Sequence, residues 1–270
     1  MELFVILIPH INMTYNIADW DQTKFLPPTC IPVPELQAVQ VLQQAWAIVL
    51  KTPPKLTSLA VLYAQWCLEV GHDAKYCHAY NFGNIKSLPN DNRFWTAFRC
   101  SEVFGGKEQF FDPPSPICNF RAFKTPLEGA IDYLQFLSGR KNYAKAWAEV
   151  INGDPEAYSI ELKNAHYYTA DTLLYTKGVV SLYNQFIKKY SNVTDFQTHI
   201  NPPDAQPITL SPEEINHIQG LVALSMDQSI HEYFATARID DDEDFDPTDT
   251  SYYRTVSTWE KITNFFGGKK

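Results

Sequence analysis

Residues 57–70 read TSLAVLYAQWCLEV, a segment that is apolar almost throughout. At about 100° per residue, a helix of this sequence carries apolar side chains on nearly all of its sides, which is typical of a buried helix. Its polar exceptions Ser58, Gln65 and Glu69 align on one narrow strip, because their spacing follows the turns of the helix. Gly71 predicts the helix end. We therefore expect Glu69 near the C-terminus of a buried helix.

The expected position of Glu69 favours its neutral form. A carboxylate near a helix C-terminus faces the negative end of the helix dipole, and apolar neighbours oppose ionisation. Both effects raise the pKa of Glu69, which is what a general acid near neutral pH requires. The alternative is that Glu69 sits at a helix end in water and has no special role.

The chain around this segment is mainly helical. Residues 35–190 predict a series of helices that is interrupted once, at about residues 84–120, by a stretch rich in glycine, proline and aromatic side chains. One helix start is well marked, since Thr125, Pro126 and Glu128 form an N-cap, a first-turn proline and a capping box. The sequence therefore predicts a mainly α domain with a small irregular or β lobe.

The two flanks differ from this domain. Residues 1–34 are rich in proline and predict an arm laid on the domain, and their apolar run at 3–8 is too short for a membrane span and lacks the basic flank of a signal peptide. Residues 191–270 predict a linker, an amphipathic helix at about 211–225 and an acidic appendage. The acidic run 240–246 lacks the glycine and final glutamate of an EF-hand, which favours a solvated loop over a calcium site.

Composition excludes several classes of function. With a net charge of −9 and scattered basic residues, the chain has no electrostatic footprint for nucleic acid. Five cysteines without a C-x-x-C pair indicate free, mostly buried thiols rather than a disulfide framework or zinc ribbon. The set Cys67, His72, Cys77 and His78 has metal-ligand residue types, but its spacing matches no common zinc pattern. We expect no metal and no cofactor.

Three ordered segments within residues 35–190 resemble a known family. Glu69 is followed by NFGNIK at 81–86; FRAFKTP at 120–126 comes next, with Asp132 and Tyr133 after it; and AHYYTA stands at 165–170. This order is similar to that of the endo-β-N-acetylglucosaminidases of glycoside hydrolase family 73, in the lysozyme-like superfamily. The resemblance implies a lysozyme-like helical domain.

The resemblance also implies roles for individual residues. Glu69 takes the position of the catalytic acid, and Tyr167 that of a pocket tyrosine that orders the substrate or a water, with Tyr168 beside it. The sequence departs from the family pattern at Val70, where serine or threonine is usual, and at His166, where glycine is usual.

A second acidic group and a set of sugar contacts are implied in the same way. In the family the second acid lies on a mobile lobe, and the candidates here are Glu102, then Glu108 and Asp112. The expected substrate-binding residues are Asn81, Phe82, Asn84, Lys86, Trp95 and Tyr168. The glycine pair 105–106 suits a lobe that closes over a glycan, or simply a hairpin turn between two short strands.

The implied function is that of a peptidoglycan hydrolase that cleaves β-1,4 glycosidic bonds, an endo-β-N-acetylglucosaminidase of phage-type lytic or virion-associated character. A muramidase or lytic transglycosylase of the same fold, and a non-catalytic wall-binding or structural tail protein, stay open as alternatives. The expected partners are glycan strands and, through the two flanks, virion or tail proteins. Without an export signal, we expect the protein in the phage virion or in the host cytoplasm before its release to the wall.

Overall fold

The computed structural model describes residues 16–89, 91–104, 107–168 and 170–191, without the side chains of residues 102–108. Its helices are α1 (Glu35–Leu50), α2 (Leu56–Val70), α3 (Pro126–Ser138), α4 (Ala144–Asn152), α5 (Pro155–Asn164) and α6 (Thr172–Tyr190). Its strands are β1 (Phe94–Ala97), β2 (Cys100–Phe104), β3 (Lys107–Phe111) and β4 (Asn119–Ala122). The predictions for residues 3–8, 211–225 and 240–246 lie outside the described residues.

Helix α2 is the centre of the helical part. It packs against α1, α4 and α6, while α3 lies on α1 and α5 lies on α4 and α6. All but three of its residues, Leu56, Thr57 and Leu68, are buried, as the apolar sequence predicts. The expected mainly α architecture with a small β lobe is confirmed, and its core forms around the helix that carries Glu69.

Helix α3 begins as its sequence predicts. The Thr125 hydroxyl accepts a hydrogen bond from the Glu128 backbone N–H at 3.2 Å, and the Glu128 carboxylate accepts one from the Lys124 N–H at 2.9 Å. Helix α3 comes close to the loop after α2 at Gly129, where a Cβ would lie 2.0 Å from the carbonyl oxygen of Tyr80. Glycine is therefore required there, and it lets α3 pack directly on the loop that follows α2.

The β lobe consists of two antiparallel pairs. Strands β1 and β4 pair with Phe94 opposite Ala122, and β2 and β3 form a hairpin with Phe104 opposite Lys107. The lobe lies mostly within the predicted irregular stretch, and β2 and β3 are two short antiparallel strands. Glycines 105 and 106 themselves lie outside the described residues.

Four buried charged residues join the β lobe to α3, and we call them the ion-pair ring: Asp91, Arg93, Arg121 and Asp132. Arg93 reaches Asp91 at 2.9 Å and Asp132 at 2.5 Å, and Arg121 reaches Asp91 at 2.9 Å and Asp132 at 3.0 Å. Each cation therefore lies between two anions. The two positive and two negative charges balance, which is the condition for burying them.

The segment from residue 16 to residue 34 lies on the β lobe. The Trp20 indole N–H donates to the Ser87 hydroxyl at 3.1 Å, and the Trp95 indole N–H donates to the Asp21 carbonyl at 2.8 Å. The Phe25 ring packs edge-on against Trp95, with 4.9 Å between ring centroids. These contacts bury Trp95 beneath the segment.

All five cysteines are free thiols; Cys30 is exposed, and the other four are buried. Over the described ranges, no group of three or more His, Cys, Asp or Glu side chains is arranged to hold a metal ion. None of the helices in the described part of the chain has both the length and the apolar character needed to cross a membrane.

Candidate active site

Glu69 lies in the last turn of α2 and is almost completely buried, with 5% of its surface exposed. The alternative of a glutamate at a helix end in water is therefore wrong. Its carboxyl oxygen Oε1 accepts a hydrogen bond from the Tyr175 hydroxyl at 2.8 Å. The other oxygen, Oε2, is buried and finds no hydrogen-bond partner among the residues that the structure describes.

Burial raises the pKa of Glu69 to about 8, although the hydrogen bond from Tyr175 and, after it, the nearby amides of Asn84 and Gln65 oppose the rise. All three of these neighbours are neutral, and no cation among the described residues affects the pKa of Glu69. A buried carboxyl in neutral surroundings keeps its proton near neutral pH because ionisation would place an uncompensated charge in an apolar environment. Glu69 is therefore equipped to donate a proton.

Gln65 connects Glu69 to three tyrosines. It lies one turn earlier on α2 and is completely buried. Its side-chain carbonyl accepts hydrogen bonds from the hydroxyls of Tyr133 and Tyr158, and its amide donates to the Tyr175 hydroxyl at 3.4 Å. We call Glu69, Gln65, Tyr133, Tyr158 and Tyr175 the acid pocket. Burial, the largest cause in each case, raises the pKa of all three tyrosines well above the ordinary value, so they remain hydroxyl donors.

The loop after α2 is tied to the acid pocket by two asparagines. The Asn81 amide donates to the carbonyls of Ile85 at 2.8 Å and Arg121 at 3.0 Å, which closes the loop on itself and on β4. Asn84 has a left-handed backbone with φ 48°, and its amide donates to the backbone carbonyl of Glu69 at 3.1 Å. Its oxygen Oδ1 is buried without a partner in the described part of the chain. A strained residue held beside the acid is a common feature of functional sites.

Tyr167 and Tyr168 support the pocket without a hydrogen bond to Glu69. The Tyr167 hydroxyl donates to the Gly83 carbonyl at 3.2 Å, and that of Tyr168 donates to the Ser159 carbonyl at 3.0 Å. The Tyr168 ring stacks on Tyr175, with 3.6 Å between centroids. Burial raises the pKa of Tyr167 well above the ordinary value, and the nearby charge of Glu69 adds to the rise. Tyr167 therefore lies close enough to Glu69 for a charge on that carboxyl to affect the pKa of the tyrosine.

Three of the predicted sugar contacts have packing partners in this structure. Phe82 is fully buried and packs on Trp66, and Trp95 is 4% exposed beneath the N-terminal segment. The Lys86 ammonium donates to the Ile117 carbonyl and lies 3.9 Å from the centroid of the Phe120 ring. Phe82 and Trp95 are therefore buried and Lys86 is partly buried, and the role of all three as sugar contacts stays a prediction.

The second acidic group stays a prediction. Glu102 lies in β2 opposite Gln109, but its side chain and that of Glu108 lie outside the described residues. The third candidate, Asp112, has a side chain that is 71% exposed and pairs with Arg99 at 3.5 Å. Asp112 is therefore a solvated carboxylate, in contrast to Glu69.

The sequence analysis does not identify Tyr175, whose hydroxyl donates a hydrogen bond to the Glu69 carboxyl. It chose Tyr167 and Tyr168 from the family motif, and no local signal separates Tyr175 from the other tyrosines of the chain. Gln65 did carry a signal, because it shares the polar strip of α2 with Glu69. A buried polar side chain one turn from a buried acid has to find partners, and here those partners are the tyrosines.

Solved structures that are similar to this chain include a peptidoglycan hydrolase mutant from Sphingomonas sp. A1, with a TM-score of 0.43 and 20% identity over 57% of this chain and 99% of that chain. They also include the glycoside hydrolase domain of FlgJ from Salmonella typhimurium. Its C-terminally truncated form has a TM-score of 0.39 at 19% identity, covering 56% of this chain and 96% of its own. The longer form has 0.38 at 18%, covering 57% and 87%.

These neighbours are peptidoglycan and glycoside hydrolases, the class that the sequence motifs resemble. No protein-family model matches the sequence, and no curated protein matches it. At these identities and TM-scores the comparison concerns the path of the polypeptide and transfers no residue role to this chain. The roles of individual residues rest on the geometry of the acid pocket.

Proposed function

We propose that this protein is a peptidoglycan hydrolase that cleaves β-1,4 glycosidic bonds of the wall glycan, with Glu69 as the general acid. The observation that carries the proposal is the buried Glu69 carboxyl, which has neutral partners, a pKa raised to about 8 and one oxygen without a partner among the described residues. Glycoside hydrolysis requires a carboxyl that is protonated near neutral pH and can reach the leaving oxygen. The substrate class comes from the three sequence segments that resemble glycoside hydrolase family 73.

In this mechanism Glu69 gives its proton to the glycosidic oxygen as the bond from that oxygen to the anomeric carbon breaks. Water then attacks the anomeric carbon from the opposite face, and a base takes up the proton that the water releases. We propose Glu102 as this base in an inverting reaction. Where Glu102 does not reach the water, the N-acetyl group of the substrate assists instead.

The finer assignment is an endo-β-N-acetylglucosaminidase. The competing assignment is a muramidase or lytic transglycosylase, in which a single acid suffices. One observation favours keeping this second candidate: among the described residues, no carboxylate contributes to the raised pKa of Glu69. The two assignments differ in the sugar left at the new chain end.

Release of sugar ends from purified peptidoglycan tests the proposal. Glu69→Gln keeps the size of the side chain and removes its acidic proton, so we expect release to fall by about 10²- to 10⁴-fold. Glu156→Gln, an exposed glutamate in the first turn of α5, is the matched control and should release ends at the wild-type rate. Mass spectrometry of GlcNAc ends would support the glucosaminidase, and MurNAc or anhydro-MurNAc ends would support the second candidate.

A wild-type protein that pellets with the wall and releases nothing would overturn the catalytic proposal in favour of a binding role. The phage-type or virion-borne setting is a separate proposal that rests on the sequence alone. Its test is an immunoblot of purified virus particles, in which the full chain should co-sediment with the particles. Its absence there would leave a free lytic enzyme.

A further inference from the structure

The hydrogen bonds of the acid pocket form a chain in which a donor and an acceptor can be assigned to each bond. A hydroxyl has one hydrogen to donate, an amide nitrogen only donates, and an amide carbonyl only accepts. The chain of bonds begins at the hydroxyls of Tyr133 and Tyr158, passes through Gln65 and Tyr175, and ends at Glu69. Its polarity can therefore be followed from one end to the other.

The first step fixes the orientation of Gln65. The hydroxyls of Tyr133 and Tyr158 both lie against the same side-chain atom of Gln65, which is the carbonyl oxygen. With that oxygen accepting from two donors, the amide nitrogen faces the Tyr175 hydroxyl at 3.4 Å and donates to it. The Tyr133 hydroxyl can also donate to the Leu62 carbonyl at 3.4 Å, so the orientation of Gln65 depends more on Tyr158 than on Tyr133.

The second step concerns the hydroxyl of Tyr175. Because its hydroxyl oxygen accepts from the Gln65 amide, its single hydrogen is available for the Glu69 oxygen Oε1, which lies 2.8 Å away. The ring is held in place by its stacking on Tyr168 at an interplanar angle of 10°. Oε1 is thus presented with a donor, and an oxygen that accepts a hydrogen bond in this way acts as the carbonyl oxygen of a protonated carboxyl.

We propose that Tyr175 and Gln65 are positioning residues that hold the acidic proton of Glu69 on Oε2, so that this oxygen alone delivers the proton. Oε2 is the buried oxygen without a hydrogen-bond partner among the described residues, so nothing described there competes for its proton. The inference deepens the proposed function and rests on it, since it says which oxygen of the proposed acid reacts. It assigns no direct contact with substrate to either positioning residue.

The direct test is infrared difference spectroscopy of the full chain, which reads the C=O stretch of a protonated carboxyl without any need for activity. The band of Glu69 is identified by its loss in Glu69→Gln. In Tyr175→Phe, which keeps the stacked ring and removes the hydroxyl, the band should move to higher wavenumber because the carbonyl oxygen Oε1 has lost its donor. Tyr183→Phe, on the same helix and outside the acid pocket, is the matched control and should leave the band in place.

Two results would overturn the inference. If the proton were on Oε1 and donated to Tyr175, the carbonyl would be Oε2, and the band would hardly move in Tyr175→Phe. If Tyr175 served only to fill space, phenylalanine would fill the same space and leave the pKa of Glu69 unchanged. Our expectation is instead a rise of about one to two pH units in the titration of the band, because the ionised carboxyl loses a donor. The alkaline limb of the pH–rate profile should move by the same amount.

Gln65→Met supplies a second variant, should Tyr175→Phe fail to fold. It leaves Tyr175 in place but removes the amide that polarises its hydroxyl, so the band should move in the same direction by a smaller amount. A band that stays at the wild-type position in folded Gln65→Met would remove Gln65 from the proposal. The spectra and the wall assay test the inference and the proposed function separately. Expected band shifts without sugar release would contradict the proposed function, and Glu69-dependent release without the shifts would contradict this inference.

Discussion

The acid pocket and the ion-pair ring both bury carboxyl groups, but they do so in opposite electrostatic settings. In the ring, burial alone would raise the pKa of Asp91, yet attraction to Arg121 and Arg93 holds that pKa below the ordinary value. In the pocket, Glu69 has neutral partners, and burial raises its pKa to about 8. Burial therefore does not set the protonation state by itself. The charge of the partners decides it.

The two clusters are also connected through one helix. Helix α3 supplies consecutive residues to them, Asp132 to the ring and Tyr133 to the pocket. The ring holds the β lobe on α3, and the tyrosine side of the same helix closes around Gln65. One helix thus separates carboxylates that must stay charged from a carboxyl that must stay neutral.

The largest expected effect comes from breaking the ring. Arg121→Met leaves Asp91 and Asp132 with one arginine between them, so one buried negative charge has no counterion. We expect the free energy of unfolding to fall by about 3 to 5 kcal/mol, measured by urea denaturation. In the double variant Arg121→Met with Asp132→Leu, the remaining Arg93–Asp91 pair is balanced, so the double variant should be more stable than Arg121→Met alone. Equal or lower stability would contradict the charge-balance argument.

The opposite pKa shifts predict opposite dependence of stability on pH. Because the folded pKa of Glu69, about 8, exceeds its usual 4.5, its protonated form stabilises the fold fully below 4.5, and this contribution is lost as the pH rises towards 8. The unfolding free energy of the wild type relative to Glu69→Gln should therefore fall by about 3 kcal/mol between pH 5 and pH 8. The seven histidines are common to both proteins and cancel in this difference.

Asp91 gives the reverse signature. Its folded pKa lies below its usual 3.8, so its contribution is present above that value and is lost as the pH falls through the folded pKa. The difference in unfolding free energy between the wild type and Asp91→Asn should accordingly disappear only in acid, below about pH 4. A Glu69→Gln difference that stayed constant from pH 5 to pH 8 would contradict the comparison of the two clusters.

A smaller effect on the unfolding free energy is expected when Gln65, which links the tyrosines of the acid pocket, is replaced. Gln65→Met fills the same space but takes away the acceptor of the Tyr158 hydroxyl, while the Tyr133 hydroxyl can turn to the Leu62 carbonyl. Leaving one buried hydroxyl without a partner should lower the unfolding free energy by about 1 to 3 kcal/mol. Gln135→Met is the matched control, since the buried oxygen Oε1 of Gln135 has no described partner to lose. Equal losses in the two variants would show that the hydrogen bonds of Gln65 contribute little.

Much of the helical part could be predicted from the sequence because its signals are local. The apolar run of α2, the capping box at Thr125 and the glycine after Val70 each act within a few residues. The buried setting of Glu69 follows from the same periodicity. The sign of its pKa shift was predicted too, from the apolar neighbours that the helix brings to it.

The partners of Glu69 could not be predicted in this way because they come from distant segments. Tyr175 is 106 positions away along the chain, and its approach to Glu69 depends on how α6 packs on α2. The ring could not be predicted for the same reason, since its members come from β4, α3 and the loop before β1. The burial of Trp95, a predicted sugar contact, could not be predicted either, because the N-terminal segment that covers it has no periodic pattern.

The smallest expected effect is at an ion pair that is not buried. Arg99 and Asp112 pair at 3.5 Å with side chains that are 65% and 71% exposed, and the Arg99 guanidinium also lies 5.1 Å from the Phe110 ring centroid. Water solvates both charges after either partner is removed, so Arg99→Met should change the unfolding free energy by less than about 1 kcal/mol. Added salt should shrink that difference further. A loss as large as that of Arg121→Met would mean that pairing, rather than burial, produces the effect, and the contrast between the ring and the acid pocket would then have to rest on geometry alone.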